Sequence, residues 1–292
     1  GEREVLARAA RGAGVALPRE VEIIECAAGA AFAGTSPLTP GAPSAASGAA
    51  SLAYFHSAIQ AVKAGEAAGI VTAPISKEAW ALAGAPWPGH TELLAHEFAS
   101  PRSGMLFVGP ALRVILASVH VPLRRVPEVL TSAGILEKIE LGDAACRELG
   151  VARPRIAVAG LNPHAGEHGL LGREDDAVIA PAVQEARARG IDAHGPLPGD
   201  TVFGAAAKGA YDLIVAMYHD QGLIPVKLLD QRRSVNVTVG LRWPTGEGGR
   251  RVVRTSPAHG TAYDIAQRFE ADATSMVEAI LLAARLAPSD VR

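Results

Sequence analysis

The chain has 292 residues, 49% of them hydrophobic and 20% charged, with a formal net charge of −2; this is the balance of a globular protein with ample length for one large domain or two lobes. Near-neutrality without a basic cluster argues against nucleic acid as a partner, so any anionic ligand must be met by a few local cations. Cys26 and Cys146 make neither a CxxC pair nor a disulfide framework, no apolar stretch approaches the ~20 residues that span a bilayer, and Gly1-Glu-Arg-Glu is not a signal peptide; a reducing cytosol is the expected home.

In chain order, residues 1–25 read as a helix followed by a strand, Val21-Glu-Ile-Ile-Glu25. Residues 27–50, rich in Ala, Gly, Ser and Pro, read as a mobile surface loop. A helix is expected over 52–66 and a short strand over 69–74. Ser76 can cap a helix over 77–82, because its hydroxyl accepts from an otherwise unpaired backbone N–H. After the turn Pro86-Trp-Pro-Gly-His-Thr91, Thr91 is a candidate cap for a helix over 92–98, whose N-terminus would be a ready anion site. A strand over 113–120 and a helix over about 136–149 follow, then a strand over 155–161 leading into an Asn-Pro-His-Ala-Gly loop.

The helix expected over 175–189 places Val178, Ile179, Ala182, Val183 and Ala186 on one face. Gly195-Pro-Leu-Pro-Gly-Asp200 reads as a turn-rich connection, with Thr201 a candidate cap for a short helix. Ser234-Val-Asn-Val-Thr-Val239 alternates as a strand with one polar face. The last helix combines capping-box spacing at Ser275 and Glu278 with an apolar stripe of Val277, Ile280, Leu281 and Ala284. Strands alternating with helices predict an α/β fold around a largely parallel sheet.

The stretch richest in chemistry is Tyr211-Asp-Leu-Ile-Val-Ala-Met-Tyr-His-Asp-Gln-Gly-Leu-Ile-Pro-Val-Lys227. Its apolar run stops at Tyr218-His219-Asp220, as a strand buried on both faces would. In open α/β sheets ligands sit beyond the carboxyl ends of the strands. Two other apolar runs end the same way, at His120 and at His164. Three histidines meet the ligand count of a catalytic zinc, which keeps a position open for water or substrate. No two share the short spacing of a HExxH helix, so hydrogen-bonding loop histidines remain the plain alternative. No GxGxxG opens a helix after a strand, and the Walker and GxSxG patterns are absent; Gly166, Gly169 and Gly172 have the wrong spacing.

Four stretches, in order, resemble the 4-hydroxythreonine-4-phosphate dehydrogenase family: Pro88-Gly-His-Thr-Glu92, Gly160-Leu-Asn-Pro-His-Ala-Gly-Glu167, Gly195-Pro-Leu-Pro-Gly-Asp-Thr-Val-Phe203 and Ala216-Met-Tyr-His-Asp-Gln-Gly-Leu-Ile-Pro-Val-Lys227. The resemblance runs from about residue 50 to the C-terminus. It implies two α/β/α lobes around a central cleft, of the isocitrate/isopropylmalate dehydrogenase-like type. One lobe would comprise residues 1–86 plus 265–292 and the other residues 87–264. It further implies a cytoplasmic homodimer acting in pyridoxine biosynthesis, with NAD (or NADP) and a divalent metal, zinc first and Mg, Mn or Co as alternatives. The implied reaction is oxidation of a secondary alcohol, followed by decarboxylation of the β-keto acid.

Matched position by position, the family's metal ligands fall on His120, His164 and His219, one of them supplied by the partner subunit, for which His219 is a candidate. Its substrate contacts fall on His90, Thr91, Lys227, Asn236 and Arg254. Asp200, Asp220 and Lys227 are candidates for the catalytic proton, Lys227 serving equally as an anion clamp. His259, Gly260, Thr261, Ala262 and Asp264 match the superfamily's coenzyme loop. A metal on the substrate hydroxyl would lower its pKa and later polarise the ketone.

Two departures from the family pattern bear on substrate and coenzyme. The family opens with a strand and a Gly-Asp-Pro-Ala-Gly-Ile-Gly-Pro-Glu turn that this chain lacks, so that strand is expected to be truncated or lost. Residues 241–253 double the family's spacing between Asn236 and Arg254. They make either a surface hairpin around 246–249 or a new pocket wall using Arg242, Trp243, Arg250 or Arg251. The expected substrate is therefore 4-hydroxythreonine 4-phosphate, with 4-phosphothreonate, 4-phosphoerythronate or an aromatic cis-dihydrodiol carboxylate as alternatives. A metal-binding protein without redox activity is the reading of a different class.

Overall fold

The computed structural model describes residues 1–26, 41–100, 102–244 and 249–287. Its strands in chain order are β1 (Gly69–Val71), β2 (Gly104–Val108), β3 (Arg113–Leu116), β4 (Ile156–Ala159), β5 (Ala193–Leu197), β6 (Leu213–Ala216), β7 (Val235–Val239), β8 (Arg242–Trp243), β9 (Arg250–Arg251) and β10 (Val253–Pro257). Its α-helices are α1 (Arg3–Gly12), α2 (Ala45–Ala64), α3 (Lys77–Leu82), α4 (His90–Glu97), α5 (Val126–Val129), α6 (Ser132–Glu148), α7 (Ala180–Ala188), α8 (Gly199–Ala207), α9 (His219–Asp230) and α10 (Thr274–Leu286). Eight strands form one sheet in the order β1-β10-β7-β2-β3-β6-β4-β5, and β8 and β9 pair as a separate antiparallel ribbon.

The α/β class holds, but the sheet is mixed rather than largely parallel. Strands β3, β6, β4 and β5 run parallel, whereas β10, β7, β2 and β3 alternate in direction. The reversal arises at Gly104-Met-Leu-Phe-Val108, which the helix–strand alternation does not announce. A tight turn instead of a helix joins it to β3. Asp230 holds that turn, its Oδ2 accepting from Ala111 N (3.0 Å) and Leu112 N (3.3 Å). A second unannounced strand, β5, occupies part of the turn-rich stretch at 195–200 and contains the cis peptide Gly195–Pro196.

Alternation in the inner strands assigns their side chains to two cores. On one face Val158, Val215, Val237 and Val253 pack with α6, α7 and α10; on the other Ala157, Ala159, Ile214 and Ala216 pack with α8 and α9. Ile179, Ala182, Val183 and Ala186 are buried as expected, although the first turn of their helix is a π-helical segment, Asp175–Ile179. A third core unites Phe55, Ile59, Trp80, Leu93, Leu94 and Phe98 of α2 to α4 with Ile70 of β1. Ser76 caps α3 as predicted, accepting from Ala79 N at 3.1 Å. No described helix is long and apolar enough to cross a membrane.

Several local expectations are corrected. Residues 21–25 are not a strand: among the described residues no strand pairs with them, and Val21 and Ile24 are exposed. A strand needs a hydrogen-bonded neighbour, which local sequence cannot supply. Residues 45–50 belong to α2, which starts at a capping box between Ser44 and Ser47; residues 27–40 lie outside the described residues. Thr91 and Thr201 sit inside helices whose N-caps are Gly89 and Pro198. At α10 the N-cap is Ala273, and Ser275 is buried with its hydroxyl donating to Arg232 O (2.8 Å).

The face of α10 is also reversed. Val277, Ile280, Leu281 and Ala284 are exposed, while Ala279, Leu282, Ala283 and Leu286 pack on the sheet. Both faces are apolar, so helical periodicity alone cannot choose between them. Leu282→Ala should therefore lower the unfolding free energy by about 2–5 kcal/mol, as buried leucines do. Leu281→Ala should cost well under that in the single chain, and paired urea titrations of the two variants would check the assignment.

Candidate active site

The carboxyl ends of β3, β6 and β4, three adjacent parallel strands, carry the three histidines singled out in the sequence. His120 lies four residues beyond β3, His219 is the first residue of α9 after β6, and His164 sits in a 3₁₀ turn, Pro163–Gly166, after β4. Gln221 ties two of these ends together. Its Oε1 accepts from Met217 N and its Nε2 donates to Gly160 O, both at 2.7 Å. Gly222 lets α9 lie against the sheet, since a Cβ there would stand 2.7 Å from Leu116 Cδ2 and 2.9 Å from Val114 Cγ1.

His120 and His219 face one cavity of about 340 Å³, with ring centroids 5.7 Å apart. The Nδ1 of His219 lies 2.7 Å from Asp220 Oδ1. A carboxylate there draws the ring proton to Nδ1 and leaves the Nε2 lone pair for a ligand. Burial, then the charges of Lys77 and His219, hold the His120 pKa below the ordinary histidine value. Two imidazole rings facing one cavity are a suitable donor pair for zinc or a similar divalent ion.

His164 does not join them within one chain. It opens a second hollow of about 680 Å³, shared with Asn162, Asp200, Tyr218 and Asp220. Among the described residues, no three His, Cys, Asp or Glu side chains of the chain gather as a metal-binding group. It is thus His164, not His219, that stands apart. Its loop is unusual in backbone: His164, Ala165, Gly166, Glu167, His168 and Gly169 have φ of 52, 54, 81, 46, 55 and 87°. Left-handed conformations cost non-glycine residues roughly 1–2 kcal/mol each. The fully buried Asp175 anchors the loop's start, accepting from Leu161 N (2.8 Å), Asn162 N (3.1 Å) and Asn162 Nδ2 (2.9 Å).

The base of the first cavity is Arg254, 4% exposed, on β10. Its guanidinium donates to Thr72 Oγ1 (2.8 Å), Thr238 Oγ1 (3.2 Å) and His90 Nδ1 (3.1 Å). All three partners are neutral, and its Nε has none. Burial pulls its pKa down to about 10, with the carboxylate of Glu92 opposing. Because arginine only donates, His90 must accept at Nδ1 and carry its proton on Nε2. Burial among Phe55 and Trp80 (centroids 4.4 and 5.4 Å), then the Arg254 charge, depress the His90 pKa to about 3. Thr91, Lys227 and Asn236 line the same cavity, and Asn236 Oδ1 is buried without a partner.

The predicted substrate contacts therefore converge, together with His120 and His219. Of the coenzyme-loop residues, His259 reaches the cavity; Gly260, Thr261, Ala262 and Asp264 do not line it. Asp200 and Asp220 line the other hollow. Lys77, Thr72 and Thr238 escaped the sequence reading. Lys77 lines the cavity from the first turn of α3, where only its neighbour Ser76 had a local signal.

The insertion takes its bland form, the β8–β9 ribbon, residues 245–248 lying outside the described residues. Trp243 packs on Phe98 (6.0 Å) and under Lys63 (4.8 Å), Arg250 donates to Val62 O, and Arg251 binds Leu286 O and Glu148. Arg242, Trp243, Arg250 and Arg251 do not line the Arg254 cavity; Arg242 and Arg251 border a separate hollow of about 790 Å³.

The chain has well-matched relatives among known proteins. The model of the family described as pyridoxal phosphate biosynthetic protein PdxA matches residues 2–283. A 4-hydroxythreonine-4-phosphate dehydrogenase of Beijerinckia indica is 47% identical over 230 residues, covering 79% of this chain and 66% of that protein. A D-threonate 4-phosphate dehydrogenase of Salmonella typhimurium is 47% identical over 223 residues, covering 76% and 65%. The chain thus spans about two-thirds of the length of these relatives. The crystal structure of a 4-hydroxythreonine-4-phosphate dehydrogenase from Klebsiella pneumoniae superposes with a TM-score of 0.74 at 44% identity, covering 85% of this chain and 72% of that one.

Two outcomes test the site's internal structure. Between pH 6.5 and about 3 an unfolded His90 binds a proton that the folded one does not, so stability rises with pH across that window and falls on acidification, by up to about 1.4 kcal/mol per unit. Urea unfolding of the parent and of His90→Gln at pH 6.5, 5.5 and 4.5 should show the parent losing that increment and the variant lacking it. Asp175→Ala should cost roughly 1–3 kcal/mol and speed amide hydrogen exchange over residues 161–171.

Proposed function

Because the chain belongs to the pyridoxal phosphate biosynthetic protein PdxA family, we propose that it works as an NAD- and divalent-metal-dependent dehydrogenase. Its substrate would be a phosphorylated 3-hydroxy acid, 4-hydroxythreonine 4-phosphate first, oxidised at a secondary alcohol with subsequent decarboxylation. The observation that carries this reading is the buried Arg254 guanidinium, without a carboxylate partner, at the base of the cavity that His120 and His219 border. The cation's hydrogen-bond partners are all neutral, and the carboxylate of Glu92 in the same cavity acts on it only through space; a phosphate would supply a directly bonded anion.

In this reading Arg254, Lys227, Asn236 and Thr91 bind the phosphate, and His90 offers its Nε2–H. Holding that end fixes where the rest of the substrate lies and so presents its hydroxyl toward the histidine pair. His120 and His219 hold the metal, zinc by preference, and His164 of a second copy completes the set. When bound, the ion would supply Lewis acidity at the substrate hydroxyl. Asp220 orients His219 through the 2.7 Å contact, and Lys227, inside the cavity, is the anion clamp. The loop from His259 to Asp264 takes the coenzyme, with His259 nearest the substrate.

The homodimer is part of the proposal. Ile224, Leu228 and Leu229 on α9 are 65, 81 and 51% exposed, on the helix that begins with His219. Ile224 also lines the second hollow, so a second copy covering these residues would lie at its rim. The names of the relatives, a 4-hydroxythreonine-4-phosphate and a D-threonate 4-phosphate dehydrogenase, share a phosphorylated hydroxy acid as substrate.

The test is a screen of phosphorylated hydroxy acids for metal-dependent growth of NADH absorbance. Chelator treatment, His120→Ala, His219→Ala and His164→Ala should each abolish turnover and tight metal binding together. Arg254→Met should raise KM for the phosphorylated substrate roughly ten- to hundredfold. Full activity in metal-stripped buffer would rule this mechanism out.

A further inference from the structure

We propose that Thr72 and Thr238 are positioning residues for anion recognition: their hydroxyls hold the Arg254 guanidinium at the base of the cavity, and anion affinity depends on them. The proposal rests on the anion-site reading of that cavity. It starts from sheet register. Thr238 of β7 stands directly opposite Arg254 across the antiparallel β10–β7 pair. Ile70 of β1 stands opposite Arg254 on the other side, and Thr72, two residues further on, shares its face. The chain continues the parallel pairing there, Thr72 N donating to Thr255 O at 3.0 Å.

Three adjacent strands thus deliver two hydroxyls to one guanidinium, at 2.8 Å from Nη2 and 3.2 Å from Nη1. Thr72 is 7% exposed, Thr238 3% and Arg254 4%, so no bulk water competes for these bonds. Both threonines are uncharged and accept without neutralising, which leaves the positive charge available to a ligand. A carboxylate at either position would pair with Arg254 and cancel the field that draws the anion. The same polar face continues through Asn236 and its cross-strand partner Ser256, both of which line the cavity. Neither threonine lines the cavity, which sets them apart from Thr91, Lys227 and Asn236. They act through Arg254.

A purely structural role would also satisfy the guanidinium, so the test must read the anion as well as the fold. The probe is inorganic phosphate, titrated into the full chain by calorimetry and by phosphate-dependent thermal shift. Thr72→Val and Thr238→Val preserve branching and remove the hydroxyl; each should weaken phosphate binding by roughly tenfold. Thr72→Ser and Thr238→Ser, which keep the acceptor, should bind like the parent. With a turned-over substrate the valine variants should raise KM far more than they lower kcat. If a valine variant does not fold, the alanine variant at that position replaces it in the same comparison with serine. Valine or alanine variants that bind phosphate as tightly as the parent, whatever their melting temperatures, would overturn the proposal. A parent that binds phosphate but oxidises no phosphorylated hydroxy acid would remove the functional reading and leave the threonine result standing. A parent that binds no phosphate would overturn both.

Discussion

A buried guanidinium with only neutral partners is the constraint on which the site is built. Arg254 is surrounded by Thr72, Thr238 and His90, and among the described residues no carboxylate is hydrogen-bonded to it. Taking a charge out of water without an opposite charge is costly, and a ligand anion lowers that cost. The same charge determines the state of its neighbour. His90 accepts from an obligate donor inside an aromatic enclosure and so stays neutral with its Nε2–H fixed. Stability and recognition are coupled here, because the groups that tolerate the charge are those that aim it.

The second half of the site hangs on the first turn of α9. Gly222 allows that helix to lie against β3, Gln221 bridges the ends of β6 and β4, and His219 emerges beside His120 as a consequence. Asp220, the next residue, turns toward the other hollow while its carboxylate still meets His219. One helical turn therefore serves both hollows, and the strained loop carrying His164 lies across the second. The functional proposal starts from this division in placing one site between two copies.

The ribbon inserted between Asn236 and Arg254 could have altered the cavity but is diverted from it. Its anchors are Lys63, Phe98, Val62 and Glu148, none of which lines the cavity of Arg254. An aromatic ring beneath an ammonium and two arginines on backbone carbonyls hold it there. The strands on either side keep the register that faces Thr238 to Arg254.

By itself the sequence determined the α/β class, the three strand-end histidines, the Ser76 cap and the polar face of residues 234–239, since each is a pattern within a few neighbouring residues. The family motifs added which residues should meet, and His90, Thr91, Lys227, Asn236, Arg254, His120 and His219 do meet. What only the tertiary structure decided is everything set by pairing between distant segments. That includes the antiparallel middle of the sheet, the apolar face of α10 that turns inward, and the absence of a strand at 21–25. It includes the separation of His164 from the other two histidines and the register that brings Thr72 to Arg254 across 182 positions of chain. Periodicity reports which side a residue takes relative to its neighbours; which partner lies on that side is a non-local choice, made by the packing of the whole sheet.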